Sequence, residues 1–273
     1  MLGKLMKYEF AALSKVLPPL YGAVMILSVV GRLMLQIFST SDNTFAGTVM
    51  GAFMFLYIFA IIASVILTFF VIVQRFYKSM VCDEGYLTHT LPVSPLSTIT
   101  AKTFSGAIWM LFGVLSALAG IAILILNREA LDLIWTALGS YGKTNAAFAA
   151  EFGISLNALF GYIGIIMLVG LLAQISLFYA AIAIGQLFAR QKLLGSVAGY
   201  MIINTIAQFL SVGIMILILS LTSGDIEAFL SNSVNPAAIA SPALLSSIIL
   251  QVVLGGGCFL LTNWIMKRKL NLD

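Results

Sequence analysis

The stretch AGTVMGAFMFLYIFAIIASVILTFFVIV, Ala46–Val73, decides the fold of this chain. It contains no Asp, Glu, Lys, Arg or His. A helix needs about 20 mostly apolar residues to cross the hydrocarbon core of a bilayer, and this run is longer than that. Its apolar residues have no amphipathic period, and they do not form the short alternating segments of a membrane barrel. We therefore predict a lipid-facing, membrane-spanning helix.

The composition of the whole chain agrees with this prediction. Hydrophobic residues make up 61% and charged residues 9% of the 273 residues, and the mean hydropathy is +1.09. A soluble domain has about 45–50% apolar and about 25% charged residues. The basic residues mostly flank apolar segments, so the pI of about 9.1 does not indicate nucleic-acid binding. Two separated cysteines, Cys82 and Cys258, predict neither a disulfide nor a metal site.

Five further stretches meet the same length criterion. We predict an all-α membrane protein whose six transmembrane helices form a single domain over residues 1–273. The predicted spans are residues 16–38, 46–73, 104–126, 160–189, 193–221 and 243–266.

The distribution of Lys and Arg predicts the orientation. With six spans, one side of the membrane holds both termini and the loops after the second and fourth spans. Eleven of the fourteen basic residues fall on that side: Lys4, Lys7, Lys15, Arg75, Lys78, Lys102, Arg190, Lys192, Lys267, Arg268 and Lys269. The opposite side has Arg128 and Lys143, with Arg32 near the outer end of the first span. We therefore expect both termini in the cytosol.

Residues 1–15 precede the first span and predict an interfacial helix that turns into the membrane at Pro18-Pro19. At 100° per residue, one face is apolar and the other is basic or small. The apolar face comprises Leu2, Leu5, Met6, Leu13 and Val16, and the other comprises Lys4, Lys7, Ala11, Ser14 and Lys15.

Glu9 falls inside the apolar sector of this helix, where an unpaired carboxylate is costly. Two interpretations remain open. The carboxylate reaches the lipid headgroups, or it forms a salt bridge with Arg75 or Lys78 that fixes the helix to the following cytosolic loop.

The polar residues within the spans are mostly uncharged, and the last three spans contain several amides. Asn204 and Gln208 share a helix face, and Gln174 and Gln251 lie in neighbouring spans. Such amides form hydrogen bonds between helices or line a substrate pathway, and the sequence leaves both roles open. The spans lack a central Asp, Glu or Lys, which disfavours an ion-coupled carrier.

Catalytic patterns are weak throughout. The segment GSYGKT, Gly139–Thr144, resembles part of a phosphate-binding loop, but Ala137 stands where the first glycine is required and no strand precedes it. The single histidine, His89, has no nearby Cys or second His. We therefore predict no ATPase site, no metal, no cofactor and no enzymatic activity on this chain.

The polar connection between the second and third spans includes DEGYLTHTLPVSPLSTITAKTF, Asp83–Phe104. Leu91-Pro92 disfavours a helix before it. Ser94 can cap a new helix that has Pro95 at its first position. Tyr86, Leu87 and Leu91 would then be exposed apolar anchors in this connection, as in a protein-docking surface.

This connection resembles the corresponding loop of bacterial type-2 ABC transporter permeases. The shared pattern covers Gly85, Tyr86, Leu87, Thr90, Leu91, Pro92, Val93, Ser94 and Lys102. The interfacial helix, the six spans and the predicted topology are similar to the same family. The resemblance implies a type-2 ABC exporter-like fold in the bacterial plasma membrane.

The resemblance also implies that residues 75–103 form a cytosolic coupling loop that docks on a separate ATPase subunit, where ATP and magnesium bind. The residues implied in coupling are Asp83, Glu84, Gly85, Tyr86, Leu87, Thr90, Leu91 and Pro92. Further expected partners are membrane lipid and a second permease, identical or related. A membrane-hugging loop without a partner remains an alternative.

The expected function is that of the membrane subunit of an ATP-driven exporter of peptides, lipid-like or drug-like molecules. The alternative is a membrane sensor or scaffold that does not transport. In the outer connections, residues 127–138 favour a helix whose apolar side rests on the membrane or on the partner subunit. Pro236 and Pro242 are expected to break two short helical pieces, an arrangement that resembles the family.

Overall fold

The structure is a computed structural model that describes residues 2–38, 44–80, 94–188, 191–223 and 236–268. These residues form eight helices and no strand. In chain order the helices are α1 Leu2–Leu13, α2 Leu17–Phe38, α3 Thr44–Met80, α4 Pro95–Ile125, α5 Arg128–Phe152, α6 Leu156–Gly185, α7 Lys192–Ser223 and α8 Pro236–Arg268.

Six of the described helices, α2, α3, α4, α6, α7 and α8, are long and apolar enough to cross a membrane. Each overlaps one of the predicted spans. The prediction of an all-helical protein with six membrane-type helices is therefore confirmed. The 37 residues of α3 correspond to about 55 Å of helix, which exceeds the roughly 30 Å hydrocarbon core. Its polar C-terminal end, which carries Arg75 and Lys78, extends beyond the apolar run.

Helix α3 is longer than the span predicted over residues 46–73, and helix α4 is longer than the span predicted over residues 104–126. Residues 75–80 continue α3 and residues 95–103 belong to α4, so these parts of the predicted coupling loop are helical. The predicted spans include only the apolar residues that match the hydrocarbon core of the membrane. The hydrogen bonds of the helix continue into the polar residues beyond that core. The predicted helix start at Pro95 is confirmed.

The chain divides into two compact units, Met1–Ser79 with Ser97–Trp135, and Met80–Leu96 with Thr136–Asp273. In the first unit, α1 is followed by a three-residue turn and then α2. The prolines Pro18 and Pro19 lie in the first turn of α2, where a missing N–H costs no intrahelical hydrogen bond. The predicted N-terminal helix is therefore present, and Leu13 at its end is buried.

Small residues bring the helices of the first unit together. A β-carbon at Gly120 of α4 would lie 2.6 Å from Ser28 Oγ and 2.7 Å from the Tyr57 hydroxyl. One at Gly113 would lie 3.2 Å from the Tyr21 hydroxyl. These two glycines thus allow polar side chains of α2 and α3 to pack directly against the backbone of α4.

In the second unit, α6 packs against both α7 and α8. A β-carbon at Gly255 of α8 would lie 2.8 Å from Ala173 Cα on α6, and one at Gly199 of α7 would lie 3.4 Å from the Ala181 carbonyl oxygen on α6. The rings of Phe178 and Tyr200 stack with centroids 4.5 Å apart. The small residues of α7 and α8 therefore serve close helix packing in this unit.

The helix α5 lies in the connection between the third and fourth predicted spans, where a helix was expected over residues 127–138, and it continues to Phe152. The Asn127 side chain accepts a hydrogen bond from Ala130 N at 2.6 Å and so caps its start. Gly153, with a φ of 67°, makes the turn into α6 in a backbone conformation that side-chain-bearing residues rarely adopt. The side chains of Leu133 and Trp135 are exposed.

The expectation that Pro242 breaks a helix is wrong, because α8 runs through it from Pro236 to Arg268. Pro242 lies six residues after the first residue of α8, so its ring removes only one early hydrogen bond. Helices within a membrane tolerate such a proline when neighbouring groups satisfy the freed carbonyl.

The packing at Gly255 predicts that replacement of glycine by alanine destabilises the protein at Gly255 but not at Gly257. Gly255→Ala should lower the free energy of unfolding by about 1–3 kcal/mol, because the new methyl group meets the α6 backbone at Ala173. Gly257→Ala is the matched control: a β-carbon there has open space, so stability should stay unchanged or rise. Equal effects of both variants on unfolding in detergent micelles would contradict the described packing of α8 on α6.

Candidate functional site

The only carboxylate of the described N-terminal helix joins three helices of the first unit. Arg75 Nε on α3 donates a hydrogen bond to Glu9 Oε2 at 2.7 Å. Lys102 Nζ on α4 donates to Glu9 Oε1. Each carboxylate oxygen therefore has its own cationic donor. The three residues are called the Glu9 cluster below.

The members of the Glu9 cluster differ in burial. The Lys102 side chain is 4% exposed, Glu9 is 16% exposed and Arg75 is 37% exposed. A nearly buried ammonium group is costly unless a counter-charge lies beside it. Glu9 supplies that charge, so Lys102 depends on α1 more strongly than Arg75 does.

The surroundings of Glu9 shift its pKa. Burial by itself raises the pKa, but the ammonium group of Lys102 and the guanidinium group of Arg75 outweigh burial, and the pKa falls below its ordinary value of 4.5. A carboxyl group with a lowered pKa contributes stability above the ordinary value, and that contribution is lost as the pH falls through the lowered value. Glu9 is therefore ionised and stabilising at neutral pH.

Aromatic contacts extend the same junction into α4. The rings of Phe10 and Trp109 stack with centroids 4.7 Å apart. The Tyr21 hydroxyl donates a hydrogen bond to the Trp109 carbonyl oxygen at 2.8 Å, and Thr68 Oγ1 donates to the Tyr21 hydroxyl at 3.3 Å. The start of α2 and the middle of α3 are thus linked to α4 close to the Glu9 cluster.

The structure decides between the two interpretations of Glu9. The salt bridge with Arg75 is confirmed, and the carboxylate is paired within the protein. The contact with Lys102 was missed, although Lys102 belonged to the loop pattern. The signal that could have revealed it was symmetry: Arg75 and Lys102 each lie two residues outside a predicted span, on the same predicted side as Glu9.

A second polar group in the first unit was also missed. Ser28 Oγ and the Tyr57 hydroxyl lie 2.9 Å apart, and Arg32 Nη1 donates to the Leu124 carbonyl oxygen at 3.2 Å. Only the amides of the last three spans had a predicted role in interhelical contacts. The hydroxyl groups of the first two spans had none. Tyr21, Ser28 and Arg32 share a face of α2, which was the available signal.

The predicted amides are not brought into one hydrogen-bonded group. Gln174 and Gln208 are exposed, and Asn204 and Gln251 are half-buried. Gln251 Oε1 is buried without a hydrogen-bond partner among the described residues, next to the position where Gly170 of α6 lacks a side chain. Both of the roles considered for these amides, interhelical hydrogen bonding and pathway lining, stay predictions.

The eight residues predicted for the coupling loop, Asp83 to Leu87 and Thr90 to Pro92, all lie outside the described residues. Helix α3 ends before these residues, at Met80, and helix α4 begins after them, at Pro95. Within the described ranges, no group of three His, Cys, Asp or Glu side chains is arranged to hold a metal ion. No protein-family model, curated protein or solved structure matches the chain.

The Glu9 cluster predicts a non-additive effect of removing its charges. Glu9→Gln should lower the free energy of unfolding by about 3 kcal/mol, because the nearly buried Lys102 then loses the Glu9 carboxylate as its ion-pair partner. Adding Lys102→Met to Glu9→Gln removes that charge and should restore at least half of the loss. The measurement is SDS-induced unfolding of the purified chain in mild detergent.

Glu151→Gln removes an exposed carboxylate from α5 and serves as the control, with an expected change within about 0.5 kcal/mol. The difference between wild type and Glu9→Gln should be complete above pH 4.5 and should shrink as the pH falls below it. A difference that is independent of pH, or a double variant as unstable as the single one, would contradict the ion pairing.

Proposed function

We propose that this chain is the membrane subunit of an ATP-driven exporter and that a separate ATPase subunit drives it through residues 81–93. The observation that carries the proposal is the Glu9 cluster, which ties α1 to the helices on both sides of that segment. The resemblance of the segment to the coupling loop of type-2 ABC permeases supports the same assignment.

The described contacts suit the transmission of force. A displacement of residues 81–93 acts on the end of α3 and the start of α4, since both helices adjoin the segment directly. Arg75 and Lys102 hold those two helices to one carboxylate, so they move together with α1. Packed helices of this kind shift as rigid elements between discrete arrangements.

The proposed arrangement places two permeases, identical or related, in a bacterial plasma membrane with both termini in the cytosol. ATP and magnesium bind the partner ATPase. The substrate class stays broad, covering peptides, lipid-like and drug-like molecules. These assignments follow from the charge distribution and the loop resemblance.

The alternative function is a membrane sensor or scaffold within an ABC-type complex. Both functions require binding to the ATPase, whereas only the exporter moves a substrate. ATP-dependent uptake of substrate into inverted vesicles therefore separates them, with uptake expected for the exporter and no uptake for the sensor.

The proposed coupling predicts loss of ATPase binding when the loop anchors are removed. The Leu91→Asp and Tyr86→Ala double variant is co-expressed with an ATP-binding cassette subunit encoded beside the gene and purified through a tag on the permease. It should bind the ATPase at least about thirtyfold more weakly, because apolar and aromatic anchors that become buried at such an interface contribute about 2 kcal/mol or more.

The matched control carries the same two types of substitution on α5, Leu133→Asp with Trp135→Ala, where both side chains are exposed. This control should retain the ATPase and stimulate its hydrolysis as wild type does. A loop variant that retains and stimulates the ATPase as well as the control would overturn the proposed coupling.

A further inference from the structure

The first unit contains an open cavity of about 750 Å³ between α2, α3 and α4. Pockets for small molecules commonly measure about 300–1,000 Å³. The lining is mostly apolar, with Leu35, Met54, Ile58, Ile61, Ile62, Ile121, Leu124 and Ile125, and its polar members are Arg32, Gln36, Tyr57 and Asn127.

Arg32 is the only charged residue of the described lining. Its guanidinium group is half-buried and has five N–H donors, and its one hydrogen bond to a described residue goes to the Leu124 carbonyl oxygen. No carboxylate of the described residues lies within salt-bridge distance of it. A cation that is held among apolar side chains, with no carboxylate of the described residues paired to it, favours an anion in the cavity.

The positions of the lining residues define a polar end and an apolar end. Arg32 lies about 9 Å along the helix from Phe38, the C-terminal residue of α2. Gln36 lies nearer the end of α2, and Asn127 lies between the end of α4 and the start of α5. On α3, Ile61 lies about 24 Å from Phe45, the first residue of the span. The apolar lining thus extends to about the middle of the span.

We propose that this cavity binds a phospholipid, with the phosphate on the Arg32 guanidinium and an acyl chain along α3 and α4. Arginine binds phosphate oxygens through paired N–H donors, so a phosphate would accept hydrogen bonds from the Arg32 N–H groups that have no acceptor among the described residues. The isoleucines of α3 and α4 provide the apolar surface for the chain. The inference concerns binding alone and does not depend on transport or on an ATPase.

The test uses the full chain in phosphatidylcholine nanodiscs that contain a trace of phosphatidylglycerol with a photoreactive acyl chain. The readout is the ratio of adducts at Ile61 and Ile121 to adducts at Phe209, an exposed residue of α7. Diacylglycerol with the same photoreactive chain is the phosphate-free probe. The ratio should be about tenfold higher for phosphatidylglycerol than for diacylglycerol, which is the effect expected of a charge-assisted hydrogen bond.

Arg32→Gln should reduce the phosphatidylglycerol ratio to the diacylglycerol level, and Arg32→Lys should give an intermediate ratio because it keeps the charge without the paired donors. Arg128→Gln is the matched control, since Arg128 is exposed and does not line the cavity. Equal ratios for both probes in the wild-type protein would overturn the proposal whether or not the variants fold. So would an unchanged ratio in a folded Arg32→Gln protein.

Discussion

The ion pairing of Glu9 is the interaction on which the organisation of the first unit depends. Without it, α1 would be a surface helix with a carboxylate in its apolar sector, and the nearly buried Lys102 would lose the carboxylate that pairs with it. Pairing resolves both problems at once. It also fixes an N-terminal helix to two membrane helices at the points where they leave the apolar region. The position of α1 is therefore set by charge, and the stacking of Phe10 on Trp109 completes the junction.

A second constraint comes from the membrane itself. Lipid offers no hydrophobic driving force between helices, so association depends on close packing and on hydrogen bonds. The two units meet this need in different ways. Around Tyr21 and Tyr57, the first unit places hydroxyl groups against glycines of α4. The second unit brings backbones together, as at Gly255 and Ala173.

Much of the fold was predictable, because a membrane span leaves a strong local signal. Long apolar runs such as Ala46–Val73 located all six membrane-type helices, and Pro95 marked the start of α4. Contacts between distant residues leave no such signal. Glu9 was recognised as anomalous, but its pairing with Lys102 depends on how α4 packs beside α3. The hydroxyl groups of α2 were overlooked because each, taken singly, is compatible with an ordinary lipid-facing helix.

The central claim is that residues 81–93 lie in the cytosol, where an ATPase can act on the helices joined by Glu9. The natural thiol of Cys82 tests this claim, because Cys258, the other cysteine, is buried within α8. The measurement is labelling with a membrane-impermeant maleimide in intact cells and in inverted vesicles. Labelling of Cys82 in inverted vesicles alone is the predicted result. Labelling of Cys82 in intact cells would place the segment outside and contradict the account.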